Sequence, residues 1–84
     1  MKTNIKFNGV VLIVDDNPET MSMLNDTLSE VGLTVLVALS GEQALTIARR
    51  IKPDIILMDI MLKGDINGIE TAERVRKELN IPII

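Results

Sequence analysis

Three aspartates are the residues of this chain best placed to do chemistry. Asp15 and Asp16 stand directly after the apolar run Val10–Val14, and Asp59 stands directly after a second apolar run, Ile55–Met58. Carboxylates gathered at one point repel each other, and the usual relief is a hard divalent cation held through oxygen ligands, with Mg2+ the common choice. Taken singly, each aspartate reads equally well as a helix cap or a solvated strand end. Taken together, acids that follow two different strands are not explained by capping, and metal binding becomes the chemical expectation.

Composition removes the competing chemistries. The 84 residues include no His, no Cys, no Trp, no Tyr and a single Phe. A disulfide framework, a Cys/His zinc site, a thiol nucleophile and an imidazole base are therefore all excluded. A net charge of −3 and a pI near 4.8 argue against direct nucleic-acid binding by this segment, which would need clustered Lys and Arg. No Gly-x-x-x-x-Gly-Lys-Ser/Thr is present, so a P-loop enzyme is ruled out, and no Gly-x-Gly-x-x-Gly follows the first apolar run. Two acids at that place would repel the phosphate of a flavin. An aspartyl-nucleophile phosphatase lacks its Asp-x-Asp pair.

The elements that must position the acids follow from local pattern. Val10–Val14 is a β-branched run without alternation, which suits a central parallel strand buried on both faces. Asn17-Pro18-Glu19 offers an N-cap, a Pro at the first helical position and an acid in the first turn. Met21, Leu24, Leu28 and Val31 then recur at helical spacing, up to Gly32. Leu33 to Ala38 predicts a second strand, and Ser40-Gly41-Glu42-Gln43 has the form of a capping box before a helix ending near Lys52, ahead of Pro53. Ile55–Met58 is the third strand. A loop through Lys63-Gly64-Asp65 to Asn67-Gly68 then leads to a third helix with Ile69, Ala72, Val75 and Leu79 at helical spacing, with Glu70–Arg74 and Glu73–Lys77 as i,i+4 pairs and Asn80 beyond its end. Ile81-Pro82-Ile83-Ile84 begins a fourth strand. Alternating strands and helices predict a doubly wound parallel α/β sheet, order 2-1-3-4, with three helices on its two faces. In such a sheet strands 1 and 3 are neighbours, so Asp15, Asp16 and Asp59 meet at the carboxyl edge, where ligands bind.

At these residues the chain resembles the receiver domain of two-component response regulators. The resemblance rests on VVLIVDDNP at 10–18, SGEQAL at 40–45, KPDIILMDIML at 52–62, NGIETAERVR at 67–76 and the closing IPII. It implies a flavodoxin-like fold and a regulatory phosphoacceptor rather than an enzyme. Asp59 would take a phosphoryl group from a sensor histidine kinase. Asp16 would ligate Mg2+ directly, Asp15 would act largely through water, and the main-chain carbonyl of Met61 would complete the protein's share. The loop departs from the family pattern in having Lys63 four residues after Asp59 and Gly68 nine after, one residue longer than usual.

As the resemblance draws it, a receiver has roughly 120 residues. Residues 1–84 therefore read as a partial receiver domain, with 1–8 as a lead-in and the fourth strand cut at 84. That picture predicts an exposed strand-4 edge carrying Ile83 and Ile84, and self-association through that edge or by element swapping. The alternative it leaves is a truncated receiver used as a scaffold or dimerisation element without phosphotransfer. Neither a signal peptide nor a membrane span is found, and a cytoplasmic location is expected. Met21 and Met58 fall on core-facing positions, and Arg49-Arg50 read as a solvated helix face.

Overall fold

The computed structural model describes residues 8–59 and 67–84. Their elements run β1 (Val10–Val14), α1 (Pro18–Glu30), β2 (Thr34–Ala38), α2 (Gly41–Ile51), β3 (Ile55–Met58) and α3 (Gly68–Glu78). The three strands form one parallel sheet in the order β2-β1-β3.

The non-alternating apolar run of β1 takes the centre of this sheet, where both faces are covered. Val11, Leu12, Ile13 and Val14 are each at most 1% exposed. Leu12 and Val14 join Ala44, Leu45 and Ala48 of α2, Val75 of α3, and Ile56 and Ile81 in one core cluster. Val11 and Ile13 point to the other face, the α1 side, where Met21 is also buried. Helices thus cover both faces, as right-handed β-α-β crossovers require.

The helices start and stop for local reasons. Asn17 Oδ1 accepts the backbone N–H groups of Glu19 (2.9 Å) and Thr20 (3.2 Å), capping α1. At its other end Gly32 turns to φ 98°. There Gly32 N–H donates to Ser29 O and Leu33 N–H to Leu28 O, which satisfies carbonyls the helix leaves open. Ser40 Oγ accepts from Gln43 N–H at 3.1 Å, and Gln43 Oε1 reaches back to Leu39 N–H at 2.6 Å. Lys52 leaves the helical region at φ 55° ahead of Pro53. Asn67 Oδ1 caps α3 through Glu70 N–H at 2.9 Å, and Asn80 beyond the far end sits at φ 53°.

Two expectations are corrected. The segment 81–84 does lie beside β3, with Ile56 N–H donating to Pro82 O, Met58 N–H to Ile84 O and Ile84 N–H to Ile56 O. It makes a single parallel bridge, Ile56 to Ile83, rather than a strand, so the sheet has three strands and the fourth place is only begun. The i,i+4 ion pairs expected along α3 do not form among the described residues. Instead Glu78 reaches across to α2 and takes Arg49 in a two-pronged bond, Nε to Oε2 and Nη2 to Oε1, both 2.8 Å. The guanidinium holds the Glu78 carboxyl below its ordinary range, chiefly through these hydrogen bonds, and Glu78 in turn raises Arg49.

Candidate functional site

Backbone register alone carries the three acids to one place. Val14 pairs with Met58 across the β1–β3 ladder, so the next residue on each strand is an aspartate at the same height. Asp59 N–H donates to Val14 O at 2.9 Å, and Asp15 N–H donates to Ala38 O at 3.1 Å on the opposite side, which extends both ladders one residue past the strands. The main chain at the rim is thus fixed from β2, β1 and β3 together.

Side chains complete the arrangement. Asp15, Asp16 and Asp59 each present a carboxylate oxygen within 4.8 Å of the others. Asp15 Oδ1 accepts the N–H of Asn17 at 2.9 Å, and Asn17 caps α1, so the acid pair and the helix start are one connected turn. The positive end of the 13-residue α1 dipole lies beside the acids and favours anionic charge there. An open cleft of about 480 Å³ adjoins the cluster, lined by the three aspartates with Asn17, Thr20 and Leu24 of the α1 side and Leu57 and Ile84. No cationic side chain among the described residues lines it.

All three acids named from the sequence are therefore brought together. Met61, the fourth residue named, lies outside the described residues, as do Lys63 and the rest of 60–66. Sequence reasoning missed Thr20, Leu24 and Ile84 as cleft residues. The signal for the first two was present, since 17, 20 and 24 share one helical face.

A family model, the response regulator receiver domain, matches residues 11–84. The chain belongs to the response regulator receiver family. Among curated relatives, the DNA-binding response regulator MtrA of Mycolicibacterium smegmatis is 39% identical over 74 residues, covering 88% of this receiver chain and 32% of MtrA. The uncharacterized transcriptional regulatory protein YrkP of Bacillus subtilis is 36% identical, with 88% and 31% covered. The receiver chain thus spans about a third of the length of these relatives. Among solved structures, the signal receiver domain of a modulated diguanylate cyclase from Desulfovibrio desulfuricans superposes with a TM-score of 0.84 at 40% identity, covering 92% of this chain and 62% of that one. The N-terminal domain of a response regulator receiver protein from Methanoculleus marisnigri gives 0.83 at 32% identity, with 89% and 63% covered. The flavodoxin-like α/β fold of receivers is the fold of this chain. No helix among the described residues is long and apolar enough to cross a membrane.

Proposed function

We propose that this receiver is the phosphoacceptor of a two-component relay. A carboxylate oxygen of Asp59 attacks the phosphorus of a phosphohistidine on a sensor histidine kinase. The P–N bond breaks, its electron pair goes to the imidazole, which takes up a proton, and Asp59 is left as an aspartyl phosphate. That acyl phosphate is the signal, a local change of charge that a larger regulator reads. The domain is regulatory, and its place is on the cytoplasmic side with its kinase.

The observation that carries this reading is the meeting of three carboxylate oxygens within 4.8 Å at the carboxyl rim, open to a cleft. The donor set suits Mg2+. All its members are hard oxygens, and an ion with bonds of about 2.0–2.1 Å sets opposite ligands roughly 4 Å apart, close to the spread of these atoms. The cleft also has room for the waters that such an ion keeps. Asp16 would ligate directly, Asp15 with one oxygen given to Asn17 N–H would act largely through water, and Asp59 and the Met61 carbonyl would complete the set. Bound there, Mg2+ supplies the neutralisation of phosphoryl charge that such transfers need. The chain's own share is position: Asp59 is held by its N–H on Val14 O at the end of a buried strand, so its carboxylate is delivered to the rim with little freedom to lose.

Incubation with Mg2+ and acetyl phosphate, followed by intact-mass measurement, tests the reading. Wild type gains one phosphoryl group and Asp59→Asn gains none. Gain by both proteins, or by neither, overturns it.

A further inference from the structure

The three helices hold four threonines, and one of them behaves differently. Thr27, Thr46 and Thr71 each turn the hydroxyl back to the carbonyl four residues earlier, Met23 O (2.9 Å), Glu42 O (3.1 Å) and Asn67 O (2.8 Å). This is the common way for a helical hydroxyl to be satisfied. Thr20 makes no such bond among the described residues. The residue four before it is Asp16, which precedes the Asn17 cap, so its carbonyl is not in the helical line. Thr20 is half-buried, and it lines the same cleft as Asp15, Asp16 and Asp59. Its main chain is pinned by the N–H bond to Asn17 Oδ1.

Apart from the Mg2+ that the acids would hold, few side chains among the described residues of the cleft can donate to an incoming phosphoryl group. Among the described residues its charged groups are the three aspartates, which repel phosphate oxygens, and Ile13, Leu24, Leu57, Met58 and Ile84 carry no side-chain hydrogen-bond donor. Asn17 spends its amide oxygen on the helix cap, which leaves its amide N–H groups as the other side-chain donors at the cleft. Thr20 supplies a neutral O–H donor at a fixed point on the α1 wall. Accepting the reading of Asp59 as the phosphoacceptor, we infer that the Thr20 hydroxyl donates a hydrogen bond to a non-bridging oxygen of the phosphoryl group as it transfers, orienting it toward the Asp59 carboxylate. No proton is exchanged in this role. The hydroxyl binds charge that the acids around it cannot.

Phosphoryl gain from acetyl phosphate and from phosphoramidate, with Mg2+ present, is timed by intact mass for wild type, Thr20→Val and Thr20→Ser, with a thermal melt of each. Loss of the hydroxyl in Thr20→Val slows gain from both donors by roughly tenfold, the weight of one hydrogen bond to a charged group at the lower end of its range. Thr20→Ser keeps the rate within about twofold. The melting midpoints stay together, because Thr20→Val removes no internal side-chain bond. Should Thr20→Val fail to fold, Thr20→Ala takes its place with the same expectation. A Thr20→Val rate equal to wild type, or a Thr20→Ser rate as low as that of Thr20→Val, overturns the inference while Asp59 stands. Absence of any gain by wild type overturns the Asp59 reading itself.

Discussion

Strand β3 is bracketed by two aspartates with opposite surroundings. At its amino end Asp54 closes a ring with β1. Its N–H donates to Val10 O at 2.8 Å and its Oδ2 accepts Val10 N–H at 2.8 Å. The fit there is tight enough to dictate the neighbour. Gly9 sits at φ 143°, and a Cβ on it would come 2.9 Å from Asp54 Oδ2, so a side chain would meet both strain and a clash. At the carboxyl end, five residues on, Asp59 faces a cleft with two more acids gathered around it. An acid next to a strand is thus no signal by itself. At one end the carboxylate satisfies a backbone N–H, and at the other three carboxylates meet within 4.8 Å beside an open cleft.

The largest test of that contrast removes charge from the crowded end. Asp16→Asn is expected to weaken Mg2+ binding, measured by titration calorimetry, by at least about tenfold, since even partners one step removed from a metal cost that much when lost. The same change relieves repulsion, so the thermal midpoint measured without Mg2+ rises or holds. A fall in stability with unchanged Mg2+ affinity would make the rim acids structural and erase the difference between the two ends.

The opposite end predicts the reverse pair of outcomes. Asp54→Ala strips Val10 N–H of its acceptor and should cost about 0.5–1.5 kcal/mol in denaturant melts, the ordinary net worth of such a bond. Mg2+ affinity and phosphate gain at Asp59 should stay within about twofold of wild type once the variant is held below its melting range. Loss of Mg2+ binding in this folded variant would mean that the two ends of the sheet are coupled through β3.

How much of this was legible depends on how far apart the partners lie in the chain. The caps at Asn17 and Ser40 and the stops at Gly32 and Lys52 involve neighbours within a few residues, and the sequence pattern names them, whereas Asn67 read as the end of a loop and is the cap of α3. The convergence of Asp15, Asp16 and Asp59 is long-range yet readable, because strand order in a doubly wound sheet follows from alternation and right-handed crossovers. The Asp54 to Val10 bond joins residues 44 apart and depends on register at the start of two strands, which alternation does not specify. Thr20 was passed over because its type has an ordinary helical explanation, and only the position of the cap shows that this explanation fails at residue 20. Arg49 read as a solvated cation for a similar reason: its partner Glu78 lies 29 residues away on a helix whose facing side is set by packing.

That helix seam gives a third answer to an acid, a cation from the protein itself, and it should show the smallest effect. Both side chains are substantially exposed, at 49% and 41%, so water and salt screen the pair. Glu78 has its carboxyl lowered on folding, chiefly by the Arg49 hydrogen bonds, so its contribution is present above the unfolded carboxylate range and is lost as pH falls through the lowered folded value. Glu78→Gln should therefore lower the thermal midpoint by at most a few degrees at neutral pH and low salt. The gap should close on adding salt, and close again in acid where wild type is also protonated. A gap that persists in acid would show that the Gln side chain costs packing rather than charge, and the seam would then owe its stability to the apolar contacts of Ala48 and Val75 beneath it.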